Sequence, residues 1–139
     1  LDFNHGTGHG VGYLLNVHEG PQKINWKIRA NGRRGNATPL EEGMLTSNEP
    51  GLYLEGEYGI RTENLLLCKK AEKNMYGQFM EFETVTLVPY ERDAILPEML
   101  TKEELNWLND YHRKVYETIA PMLEGEEKEW LKEATAEIR

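Results

Sequence analysis

The chain is poor in three things: cysteine, positive charge and long apolar runs. Its one cysteine, Cys68, cannot close an internal disulfide, which fits a reducing compartment and makes the cytoplasm the expected location. With 16 Lys and Arg against 24 Asp and Glu, the formal net charge is −8. Nucleic-acid affinity rests largely on Lys and Arg neutralising phosphates, so DNA and RNA are excluded as expected partners. No stretch approaches the roughly 18 apolar residues that a membrane helix needs, so no membrane span is expected. The first residues, Leu1-Asp2-Phe3-Asn4-His5, offer no initiator Met, basic region or apolar core of a signal peptide, and read as a start in mid-protein.

What is present first is β-rich. Val11 to Val17 is mostly apolar and bounded by glycines and a Gly20-Pro21 break, which predicts a strand. Lys23 to Ile28 alternates as an edge strand would, and the Gly/Asn/Arg stretch to Pro39, with its basic cluster Arg29 to Arg34, reads as a loop. Further strands are expected at Met44–Asn48, Leu52–Leu54, Tyr58–Ile60, Thr62–Cys68 and Phe79–Val88, with Pro50-Gly51, Gly56 and Pro89 as breaks.

After Pro97 the period changes. Thr101 followed three residues later by Glu104 is a capping box, and Leu105, Leu108, Tyr111, Val115, Ile119 and Met122 recur at helical spacing to about Leu123. Gly125 interrupts the run. Glu126 to Ile138 then offers a second helix with Trp130, Leu131, Ala134 and Ile138 on one stripe. The stripe of Trp107, Tyr111, Val115 and Trp130 needs cover, from the β-rich region or from a second copy of the chain. His112, on the first helix, is expected at a surface or interface with no catalytic part.

The chemistry-bearing residues fall in two places. Three of four histidines lie in the first 18 residues, as His5-Gly-Thr-Gly-His9-Gly-Val-Gly and Asn16-Val-His18-Glu-Gly-Pro21. A neutral imidazole is the commonest metal ligand, and neighbouring glycines allow close approach of backbone to a ligand. The second place is Asn48-Glu49-Pro-Gly-Leu-Tyr53 with Gly59-Ile-Arg61-Thr-Glu63-Asn64. Both glutamates are expected at or within strands in apolar or small surroundings, where a lone carboxylate is costly. Spacing alone leaves two partners open, a salt bridge to Arg61 or a shared metal, and no standard zinc motif is present.

These four ordered blocks resemble the C-terminal signature blocks of Xaa-Pro aminopeptidases, in the creatinase, prolidase and methionine aminopeptidase superfamily. The blocks cover residues 1 to 68, and the segment from Glu81 to Ile138, with Leu87-Val-Pro89 and Leu105-Asn-Trp107-Leu-Asn-Asp-Tyr-His112, resembles the C-terminal extension of the longer members. The resemblance implies an α+β chain, the C-terminal part of a pita-bread fold, with mostly antiparallel strands followed by helices. It divides the chain into 1–90, catalytic, and 91–139, helical extension.

It also implies two divalent ions, Mn2+ first, with Zn2+ or Co2+ as alternatives, held by two aspartates, one histidine and two glutamates. By position His9 is the histidine ligand, Glu49 a ligand that also takes the proton of the attacking water, and Glu63 the carboxylate bridging both ions. His5 and His18 match histidines that line the substrate site and assist catalysis, and Tyr53 and Arg61 match residues beside the prolyl pocket or the metal carboxylates. In the family pattern the two aspartates lie upstream of His5, and Asp2 does not match either. The resemblance therefore implies hydrolysis of the N-terminal Xaa-Pro bond by a whole, homodimeric protein, with this chain inactive alone. A prolidase-type dipeptidase and a non-catalytic peptide- or protein-binding module are the alternatives.

Overall fold

A computed structural model describes residues 3–14, 16–25 and 38–139. They divide into two units, with the boundary between Thr86 and Leu87. The expected loop around Arg29 to Arg34 lies outside the described residues, as do residues 26–28 of the expected edge strand.

Among the described residues the first unit has seven strands: β1 (Gly8–His9), β2 (Lys23–Ile24), β3 (Leu45–Asn48), β4 (Gly51–Leu54), β5 (Tyr58–Arg61), β6 (Asn64–Asn74) and β7 (Gly77–Thr84). Every pairing is antiparallel: β1 with β2, β4 with β5, and β6 between β3 and β7. Leu54 accepts a hydrogen bond from the Glu57 N–H at 3.0 Å, closing a turn in which Gly56 takes φ 75°. A left-handed backbone at that position is what glycine supplies.

The pairs Asn48↔Asn64 and Gly51↔Arg61 share one register, and Thr62 N–H reaches Pro50 O at 3.1 Å between them. Strands β3 and β4 thus run against β5 and β6 as one interrupted ladder, in which Glu49 falls opposite Glu63. Pro50 lacks an N–H and marks the interruption.

The expectation of a strand at Val11–Val17 is corrected. The described residues there form a loop: the Gly12 N–H turns back to Asn16 O at 2.8 Å and the Glu19 N–H to Gly10 O at 2.9 Å. Backbone groups satisfied locally leave no ladder to extend, and Tyr13, Leu14 and Val17 are exposed. Strand β6 also runs beyond the expected end at Cys68, because Lys69–Asn74 pairs with the start of β7.

In the second unit Thr101 caps α1 (Lys102–Ile119) with the reciprocal Thr101–Glu104 bonds of a capping box. These bonds hold the Glu104 carboxyl below its ordinary range. A single 3-10 turn at Ala120–Met122 follows, and Gly125, at φ 55°, opens α2 (Gly125–Ala134). Tyr111, Val115, Ala120 and Leu131 form the core, with Leu87, Tyr90, Tyr116, Ile119 and Leu123 packed on it. The unit therefore has an apolar centre of its own. Met122 leaves the expected stripe and is exposed, since the 3-10 turn changes the angular step, and Trp130 is 60% exposed.

His112 is also corrected, because it is wholly buried inside the helical unit, at 0% exposure, where a surface or interface position was expected. Its Nε2 accepts the Tyr90 N–H at 3.1 Å, while the Tyr111 hydroxyl donates to Val88 O at 2.8 Å. Two adjacent side chains of α1 thereby hold the Val88–Tyr90 backbone.

Candidate functional site

The polar residues of the two sequence clusters meet where β1 crosses β3. Gly10 bridges Thr46, and the Glu49 N–H donates to Thr7 O at 2.7 Å. The crossing needs glycine: a Cβ on Gly8 would run into the Ser47 carbonyl oxygen. This close approach brings the His9 ring to a carboxylate 40 positions along the chain, with His9 Nε2 3.0 Å from Glu49 Oε1.

The proton inventory of that pair is informative. His9 Nδ1 lies 2.9 Å from Gly10 O, and a carbonyl only accepts, so Nδ1 carries a hydrogen. In the neutral ring Nε2 then presents a lone pair to a carboxylate oxygen. Two acceptors at that distance require a cation between them, either a proton on Nε2 or a metal ion. A histidine with Nδ1–H fixed by a backbone carbonyl and Nε2 free is the usual arrangement of a metal-ligating imidazole.

Glu49 is 8% exposed and has three side-chain neighbours. Besides His9, the Ser47 hydroxyl donates to Oε1 at 2.9 Å, and Arg61 Nη1 stands 3.4 Å from Oε2. The salt bridge to Arg61 and the contact with His9 therefore engage different oxygens of one carboxylate.

A second chain of hydrogen bonds runs outward from Arg61. Its Nε–H donates to the Tyr53 hydroxyl at 2.9 Å, and that hydroxyl meets His5 Nε2 at 2.7 Å. His5 Nδ1 lies 2.8 Å from Gly6 O and so carries the hydrogen, which makes Nε2 the acceptor from Tyr53. The hydrogen bond to Tyr53, then the charges of Glu49 and Glu63, hold the Arg61 guanidinium further into its charged range. The ring of His18 stacks obliquely on that of His9, with centroids 4.3 Å apart and planes at 52°.

The structure thus brings together His5, His9, His18, Glu49, Tyr53 and Arg61. Glu63 stands differently: it lies between β5 and β6, opposite Glu49 in register, and is exposed, where a strand position in apolar surroundings was expected. Among the described residues no group of three or more His, Cys, Asp and Glu side chains is gathered closely enough to hold a metal ion. His9 and Glu49 fit one edge of such a site by their donor chemistry, and further donors are needed to complete it.

Two buried residues escape the sequence reading. Ser47 is 0% exposed; its hydroxyl receives the His9 N–H at 3.0 Å. Its position two residues before Glu49 is the signal, since alternate residues of a strand share a face. Gln22 is also buried, and its amide donates to Leu45 O at 3.0 Å, tying the segment after the cis Gly20-Pro21 bond to β3. No pattern marks Gln22 in advance.

Residues 1–70 match the profile of metallopeptidase family M24. The chain belongs to this family. Residues 78–138 match the C-terminal region of peptidase M24. Xaa-Pro aminopeptidase 1 of Dictyostelium discoideum is 47% identical over 137 residues, which are 95% of this chain and 21% of that protein. Aminopeptidase P2 of Arabidopsis thaliana is 47% identical over 135 residues, 94% of this chain and 18% of its own length. The crystal structure of X-prolyl aminopeptidase from Caenorhabditis elegans, described as a cytosolic enzyme with a di-nuclear active site, matches with TM-score 0.82 and 39% identity over 99% of this chain and 22% of that one. The chain spans about a fifth of the length of these M24 relatives.

The fold is accordingly the C-terminal part of the pita-bread aminopeptidase fold, with antiparallel strands followed by helices. Among the described residues no helix is long and apolar enough to cross a membrane.

Proposed function

We propose that the whole protein is an Xaa-Pro aminopeptidase, removing the N-terminal residue from peptides with proline second, and that this chain supplies the histidine and glutamate side of its metal site. The observation that carries this reading is the approach of His9 Nε2 to Glu49 Oε1 at 3.0 Å with Nδ1 turned to Gly10 O, a pair that needs a proton or a metal ion between its members and is given a metal ion in this reading. The register adds to it: Glu49 and Glu63 oppose each other, and like charges directly across a ladder are unfavourable unless a cation lies between them. In this reading His9, Glu49 and Glu63 would hold the ions. When bound, two divalent ions, Mn2+ foremost and Zn2+ or Co2+ as alternatives, supply Lewis acidity and a water acidic enough to serve as nucleophile near neutral pH.

The chain's own residues supply the rest. Glu49 takes the proton from the attacking water, with Arg61 Nη1 3.4 Å from its other oxygen, Oε2. Tyr53, fixed between Arg61 and His5, holds both at the substrate side. His5 and His18, the latter beside His9, line the substrate side, one orienting the peptide and the other hydrogen-bonding the carbonyl under attack. Residues 1–90 act as the catalytic part and 91–139 as a helical extension of a cytoplasmic homodimer. The test is a comparison of peptides under added Mn2+: Xaa-Pro-Xaa cleaved well above Xaa-Pro supports the aminopeptidase, and the reverse preference indicates a prolidase-type dipeptidase.

A further inference from the structure

We infer that Ser47 is the positioning residue of the His9–Glu49 pair, and this deepens the reading above and rests on it. One hydroxyl makes both links: it accepts the His9 N–H at 3.0 Å and donates to Glu49 Oε1 at 2.9 Å. The oxygen it donates to is the one that faces His9 Nε2. Ser47 therefore fixes which lone pair of the carboxylate remains for a cation, and ties that choice to the backbone of the strand that carries the histidine.

The arrangement is rigid for reasons on either side. Ser47 is fully buried in β3, and the Gly8 backbone presses on its carbonyl closely enough to exclude a Cβ. A carboxylate held by a hydroxyl on one oxygen and by Arg61 on the other has its plane fixed before any ion arrives, which lowers the ordering cost of binding. Ser47 touches neither substrate nor metal in this account and acts through Glu49.

The experiment compares Ser47→Ala, Ser47→Cys and Ser47→Thr in the whole protein, reading Mn2+ affinity from the loss of the free-ion paramagnetic resonance signal. Melting of the metal-free forms is followed in parallel. The Ala and Cys variants are expected to bind Mn2+ about 10- to 100-fold more weakly, the range typical of partners that orient a metal ligand, and Thr to bind within about threefold of the unsubstituted protein. Unchanged affinity in Ala and Cys overturns the inference. So does weakening confined to Ala, because Cys fills the space and a defect it repairs is one of packing. If the unsubstituted protein binds Mn2+ and the Ser47 effect appears, yet no Xaa-Pro-Xaa peptide is cleaved, the aminopeptidase reading fails and the positioning role stands. If the unsubstituted protein takes up neither Mn2+ nor, by titration calorimetry, Zn2+ or Co2+, both fail.

Discussion

His9 and Glu49, 40 residues apart in sequence, meet with Nε2 and Oε1 at 3.0 Å, and the hydrogen on His9 Nδ1 is already committed to Gly10 O. The charge of Glu49 is therefore what matters there, more than its shape. Glu49→Gln keeps the shape and removes the charge. It is expected to lower Mn2+ affinity and peptide hydrolysis of the whole protein by more than about 100-fold, beyond the effect typical of an outer partner. Titration calorimetry with Mn2+ and an initial-rate assay check this. A Gln variant binding Mn2+ normally removes Glu49 from the ligand set.

Gly8→Ala tests the crossing that creates the site. The added methyl meets the Ser47 carbonyl oxygen, a backbone atom that cannot rotate away. Overpacking of this kind costs about 1–3 kcal/mol, and separation of β1 from β3 also parts His9 from Glu49. Urea unfolding should show the lower stability, with Mn2+ affinity falling alongside it.

The site was legible in the sequence to the extent that glycine and proline fenced it. Pro50 and Gly56 fix the β3 to β6 ladder, and the ladder sets Glu49 opposite Glu63. The Thr101 capping box gave the start of α1 for a similar local reason. Val11–Val17 misled because an apolar, partly β-branched run carries a strand signal even where its backbone closes on itself through Gly12 and Asn16. Ser47 and His112 were missed because each is buried by contacts far along the chain. Helical spacing marked Tyr111 and Val115 as core, but a polar ring beside them became legible only with its partner, the Tyr90 N–H.

His112 gives the helical unit a pH dependence. Burial, and then the positive charge of Arg92, push its imidazole below the ordinary histidine range. The unfolded chain therefore takes up the proton at higher pH than the folded one does. Stability is full above the ordinary histidine value of about 6.5 and is lost as pH falls from there towards the depressed folded value. Thermal melting between pH 7.5 and 5.5 should show the decline, and His112→Gln, which retains an acceptor for Tyr90, should flatten it. An equal slope in both proteins would assign the pH dependence elsewhere.

The two faces of α2 should separate cleanly on mutation. Leu131 sits in the core with Tyr111, Val115 and Ala120, so Leu131→Ala is expected to cost about 2–5 kcal/mol. Trp130, beside it in sequence, is largely exposed, and Trp130→Ala should remain within about 0.5 kcal/mol. Denaturant midpoints of the two variants decide it. A large loss for Trp130→Ala would mean that its face is covered by another surface in solution, as the proposed homodimer allows.

The most direct test of the central claim is hydrolysis of an Xaa-Pro-Xaa peptide with added Mn2+ by the whole protein and by this 139-residue chain, side by side. Cleavage is expected from the whole protein alone, because the proposed ligands His9, Glu49 and Glu63 need others to complete the site. Cleavage by the isolated chain would contradict the shared metal site, and cleavage by neither would contradict the aminopeptidase itself.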